Sequence, residues 1–139
     1  TPLFMACQQG RLECVRLLLE AGAAIDQAKD NGVTPLFVAC QNGHLGCVRL
    51  LLEAGAAVGQ ALIGGATPLY IACRFGHLEV ARLLLEAGAA VAHADAEGRT
   101  PLYVASLQGH DQCVRLLLEA SAAVNQAKDD ATTPLYIAC

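Results

Sequence analysis

The sequence has no tryptophan, one methionine and, at 4%, very few aromatic residues. Charge is also scarce: 16% Asp, Glu, Lys and Arg, with 9 basic residues against 13 acidic ones and a net charge of −4. Affinity for a phosphate backbone comes from clustered Lys and Arg, so nucleic acid is not an expected partner. Low charge combined with 55% hydrophobic residues excludes a disordered tail. Without bulky rings the core must be built from Leu, Ala, Val and Cys, and 139 residues suffice for one such domain. Uninterrupted apolar runs are missing too. The uncharged stretch 54–73 has nearly the length of a membrane-spanning helix, but Gly55, Gly59, Gly64, Gly65 and Pro68 break it, so no membrane partner is expected. No basic-then-apolar leader stands at Thr1. The seven cysteines are an odd number among ordinary core residues. They fit a reduced, intracellular protein, cytoplasmic or nuclear, better than a disulfide scaffold.

What is present is a period. Thr-Pro-Leu begins at Thr1, Thr34, Thr67, Thr100 and Thr133, a step of 33 residues each time. Units 1–33, 34–66, 67–99 and 100–132 follow one another without insertion, and 133–139 opens a fifth, so 1–139 reads as a single repeat domain. Across the four full units 14 of 33 columns are identical. Each unit predicts two short helices and a turn. Thr1 caps the first helix and Pro2 suits its first turn, where the missing N–H needs no partner. Gly10 ends it near Gln9, and Gly22 ends a second helix carrying Leu12, Val15, Leu17, Leu18 and Leu19. Asp30-Asn31-Gly32 predicts a connecting hairpin. One unit cannot bury such a broad apolar face alone, so neighbours must stack and share a core.

Thr-Pro-Leu-x-x-Ala, Gly-His-Leu-Glu at Gly76–Glu79 and Leu-Leu-Leu-Glu-Ala-Gly-Ala on a 33-residue period resemble the ankyrin repeat along the whole chain. The resemblance implies an all-α solenoid of stacked helix-turn-helix units with projecting hairpins. It further implies a concave face, lined by first helices and hairpins, that binds other proteins without chemistry or a cofactor. Three departures stand out. The family's His after Thr-Pro-Leu is Phe4, Phe37, Tyr70, Tyr103 and Tyr136, so aromatic packing replaces a polar ladder. The family's Asp after Gly-Ala is Ala24, Ala57, Ala90 and Ala123. Unit four has Ser121 and Ala131 in place of glycine and is expected to be the softest. The resemblance also makes Asn125 a candidate for asparaginyl hydroxylation.

Other constellations read as structure. Cysteines fall in two columns, Cys7, Cys40, Cys73 and Cys139, then Cys14, Cys47 and Cys113. Equivalent positions lie a unit apart, too far for a metal cage or a bridge along the stack, so core packing is expected. His44, His77 and His110 share a column with Arg11 and suit a helix start rather than catalysis, and His93 near Asp95 lacks a nucleophile. Arg16, Arg49, Arg82 and Arg115 are expected to pair with Glu20, Glu53, Glu86 and Glu119 one turn on.

Variation between units concentrates at the end of helix one and in the hairpin. In the family these positions line the groove, giving the partner-binding candidates Gln41, Asn42, Arg74, Phe75, Leu107 and Gln108 at the first and Asp30, Asn31, Leu62, Ile63, Glu97 and Arg99 at the second. Phe75 is the one aromatic outside the framework column. Leu62, Ile63, Phe75 and Leu107 are expected to form an apolar centre with Arg74, Arg99 and Glu97 as its rim. Drift at exposed positions gives the same variability, and packing against another part of a parent protein gives the same apolar surface. The expected function is a non-catalytic protein-interaction module. The alternatives are a targeting or regulatory segment of an enzyme whose catalytic domain lies elsewhere, or an engineered scaffold. Thr1 at a cap and Cys139 partway along a first helix leave no polar end units, so end-to-end self-association is expected.

Overall fold

A computed structural model describes residues 1–128, with 123–128 described by their backbone alone. Helices come in pairs: α1 Pro2–Gln9 and α2 Leu12–Glu20, α3 Pro35–Gln41 and α4 Leu45–Glu53, α5 Pro68–Arg74 and α6 Leu78–Glu86, then α7 Pro101–Leu107 and α8 Asp111–Lys128. No strand occurs among the described residues. Each first helix starts where the sequence places it. The hydroxyls of Thr1, Thr34, Thr67 and Thr100 accept from the backbone N–H of Phe4, Phe37, Tyr70 and Tyr103 at 3.1–3.2 Å. α1 packs on α3, α3 on α5 and α5 on α7, while the second helices form a parallel outer row. The architecture is an all-α repeat solenoid.

Burial shows which way each column faces. Val38, Ile71 and Val104 are buried whereas their counterpart Met5 is 51% exposed, so this column points at the preceding unit. Phe4, Phe37 and Tyr70 are buried whereas Tyr103 is 46% exposed, so the framework aromatic points at the following one. Leu36, Leu51, Leu69 and Leu84 lie fully buried between the rows.

Two kinds of glycine fix the spacing between units. Gly10, Gly43 and Gly76 take φ of +70°, +71° and +74°, and a Cβ on them would stand 2.6–2.7 Å from the imidazole of the next unit. That ring, His44, His77 or His110, lies on the glycine and bonds through Nε2 to Gln8 O, Gln41 O or Arg74 O at 3.0 Å. A carbonyl only accepts, so Nε2 carries the proton and donates. The histidine column is thus a row of inter-unit clamps at the start of the second helices. In the hairpins, Gly32 and Gly65 at φ +88° bring adjacent turns into contact. Ile63 N donates to Asn31 O at 3.2 Å and Ala96 N to Gly64 O at 3.0 Å.

Unit four departs from the pattern. Gly22, Gly55 and Gly88, at φ +85°, +93° and +96°, close off α2, α4 and α6, but Ser121 stands at that position in α8. With no residue favouring the left-handed conformation there, α8 runs on through Ser121 to Lys128. Ala131, Tyr136 and Cys139 lie outside the described residues.

The charged outer row also pairs differently from expectation. Arg16 reaches back to Glu13 at 2.9 Å and Arg82 to Glu79 at 3.4 Å, rather than forward to Glu20 and Glu86. Glutamate ahead of arginine is the favourable order along a helix, because the acid then sits near the positive N-terminal end. Arg49 has Gly46 at that place. Gly46 is helical, and a Cβ there would meet only the end of the exposed Leu12 side chain at 3.2 Å. Gly46→Glu is therefore expected to raise stability by about 1 kcal/mol, from helix propensity plus a new pair with Arg49. Urea denaturation checks it; an unchanged or lower midpoint would refute this reading of the column.

Candidate binding groove

The groove candidates fall into two rows separated by the length of a first helix. The lower row is the end of helix one. Gln41 is half-buried with its carbonyl held by His77, and Asn42 is exposed with its amide donating to Gln8 O at 3.0 Å. In the next unit Arg74 is exposed and its guanidinium carbon lies 5.7 Å from the Phe75 ring centroid. Phe75, 47% exposed, has its other neighbour in His77, the ring centroids 6.4 Å apart and 29° from parallel. Leu107 is 66% exposed and Gln108 is exposed beside it.

The upper row is the hairpins. Asp30 and Asn31 are exposed, and Asn31 Oδ1 accepts from Val33 N at 3.1 Å, fixing the turn. Ile63, 80% exposed, is the most open large apolar side chain described. Its neighbour Leu62 turns inward and packs on the core. Leu62 is therefore a framework residue, and Ile63 stands apart from Phe75 by the seven residues of α5, roughly 10 Å at 1.5 Å per residue. The single apolar centre expected from the sequence resolves into Phe75 with Leu107 at one end of the first helices and Ile63 at the other.

The expected polar rim divides in the same way. Arg99 is held by Asp95, Nε to Oδ2 at 2.9 Å, and reaches Glu97 at 3.5 Å. Asp95 is the residue that pattern reading missed. Its carboxylate accepts from Glu97 N and Arg99 N at 2.9 Å each, from the Arg99 side chain and from the Tyr70 hydroxyl. Burial pushes the Asp95 carboxyl up, but these donors outweigh it and hold its pKa down at about 2. Burial and the same contact raise the Tyr70 hydroxyl. With Asp95 so occupied and His93 exposed, these two do not form a catalytic pair. A signal was present in the units themselves. The hairpin column reads Lys29, Leu62, Asp95 under a framework column of Phe4, Phe37, Tyr70. Lys29 Nζ lies 4.1 Å from the Phe4 centroid, while Asp95 takes the hydrogen bond that only tyrosine offers.

The two cysteine columns meet across unit boundaries, a proximity that comparing equivalent positions does not reveal. Cys73 and Cys113, both buried, are neighbours: interaction with Cys113 and burial drive Cys73 well above the ordinary thiol range, and the same interaction lowers Cys113. Cys7 is pushed up to about 12, by burial first and then by the Cys47 sulfur near it. Burial alone raises Cys40 and Cys47. Cys14 is the exposed member of its column. All six are free thiols packed as small apolar groups, with Cys14 the exception to burial. Among the described residues no group of three or more His, Cys, Asp or Glu side chains converges as a metal site. No described helix is long and apolar enough to cross a membrane.

Stacked helix pairs on a 33-residue period, clamped by glycine and histidine at each boundary, define a repeat protein. Family models for ankyrin repeats match residues 1–62 and 69–118, and the chain belongs to the ankyrin repeat family. A comparison with curated proteins gives no match. Ankyrin repeats are in general protein–protein interaction modules and typically non-catalytic.

Proposed function

We propose that this chain is a recognition module that binds a protein partner on the face formed by helix-one ends and hairpins. One observation carries the reading. The columns that make the stack are buried and uniform, while Phe75, Leu107 and Ile63 leave large apolar surface open at positions that differ from unit to unit. Exposed apolar groups with polar neighbours are the usual mark of an interaction surface. Gln41, Asn42 and Gln108 flank the apolar residues with groups able to donate and accept, and Asp30 and Asn31 do so at the hairpin. Affinity capture from a cellular extract with the wild-type chain, and with Phe75→Ala as the paired control, tests it. A specific partner should lose at least tenfold in affinity on Phe75→Ala, the scale of a central aromatic anchor of about 1.4 kcal/mol or more. A partner held equally by both would place recognition on another face. The compartment we infer is reducing and intracellular, because the buried thiols pack as core residues.

A further inference from the structure

Charge is unevenly distributed along the lower groove row. Read across the units, the ends of the first helices are Gln8-Gln9, Gln41-Asn42, Arg74-Phe75 and Leu107-Gln108. No acid stands in this row, although the chain has 13 and is net negative. Arg74 is its single charge, and among the described residues it forms no salt bridge. Its guanidinium lies over the edge of an open aromatic ring, so a carboxylate placed there meets a cation beside an apolar surface rather than in bulk water. Within the row the flanking groups are neutral, Gln41 and Asn42 from the α3 side and Leu107 and Gln108 from the α7 side, and the acid next along the chain is exposed Asp111 at the start of α8. The carbonyl of Arg74 is already taken by His110, which leaves the side chain as its free recognition group.

We propose that this row binds an extended, acidic peptide segment of a partner protein, with one carboxylate on Arg74 and one aliphatic or aromatic side chain in the Phe75–Leu107 notch. This rests on the recognition reading above and names its ligand. The spacing follows from geometry. Packed helices lie about 8–10 Å apart, and an extended chain advances about 3.3 Å per residue. An extended chain turns every second side chain, about 6.6 Å apart, to the same side, which spans from Arg74 to the notch between α5 and α7, so the acid and the apolar anchor stand two positions apart. Amide groups of Gln41, Asn42 and Gln108 bracket that pair and are suited to peptide backbone. A cationic segment is disfavoured here, because Arg74 repels it and nothing in the row compensates.

Panning a random twelve-residue peptide library against the whole chain tests this. The winners are then measured as synthetic peptides against the wild type, Arg74→Glu and Phe75→Ala. Both substituted side chains are exposed, and the thermal midpoint of each variant verifies its fold. Enriched peptides should carry Asp or Glu two positions from Leu, Ile or Phe. They should bind Arg74→Glu at least tenfold more weakly, and the wild type more weakly as salt is raised. Peptides that depend on Phe75 but show no acidic preference, or that bind Arg74→Glu within twofold, would overturn the ligand assignment while leaving the groove in place. Peptides indifferent to both variants, or no enriched peptides at all, would overturn the groove reading as well.

Discussion

Gly76→Ala is expected to lower stability by about 2–3 kcal/mol, a large fraction of what holds a domain of this size together. Two effects add. At φ +74° any residue with a Cβ is strained, which costs about 1 kcal/mol. The added methyl would also stand 2.6 Å from His110 Nδ1, so the ring must leave and its bond to Arg74 O is lost, roughly another 1–2 kcal/mol. Gly88→Ala separates the two effects. Its φ is +96° but nothing lies within 4 Å of the added Cβ, so only the backbone strain remains. Urea midpoints of the two variants should therefore differ by more than about 1 kcal/mol. In a double-mutant cycle, Gly76→Ala with His110→Ala should cost less than the sum, because removing the ring removes the clash. Equal losses for Gly76→Ala and Gly88→Ala would show that the histidine clamp contributes nothing.

Asp95→Ala is the second large effect, with an expected loss of about 2–3 kcal/mol. The substitution leaves the backbone N–H of Glu97 and Arg99, the Arg99 side chain and the Tyr70 hydroxyl without their common acceptor. Its pH signature is distinctive. The folded carboxyl titrates at about 2 against an ordinary 3.8, so the folded state favours the ionised form. The stabilisation is complete above that ordinary value and is lost as pH falls through the interval toward 2. Denaturant midpoints of the wild type and Asp95→Ala, measured from pH 6 down to pH 2, should converge at the acid end. A constant gap across that range would mean that Asp95 contributes by packing alone. Since the hairpin of unit three carries Glu97 and Arg99, the same variant should also raise amide exchange there.

These residues mark where pattern reading succeeds and where it stops. The period, the threonine caps, the helix-ending glycines and the buried columns were legible because each is a local rule repeated in register. Repetition even made the exception legible: Ser121, lacking glycine's access to the left-handed region, is where α8 continues to Lys128. Relations between units were not legible from columns alone. Cys73 meets Cys113 and Cys7 meets Cys47 because the stack brings two different columns together, and no comparison of equivalent positions reveals that. Arg16 and Arg82 chose their glutamates by helix polarity rather than by spacing. The groove candidates are variable positions, but variability does not say which way a side chain turns. Leu62 and Ile63 are adjacent in sequence, and only the second is open. Asn125, suggested by the family resemblance as a modification site, falls in the backbone-only part of α8, so its side chain lies outside the described residues.

The central claim is that a uniform stack presents one variable face for recognition. Amide hydrogen exchange on the chain, free and saturated with its tightest selected peptide, addresses it most directly. Protection is expected at 41–42, 74–75 and 107–108, on the helix-one ends, with the outer helices unchanged. Protection confined to α2, α4 and α6, around Arg16, Arg49 and Arg82, would contradict the account.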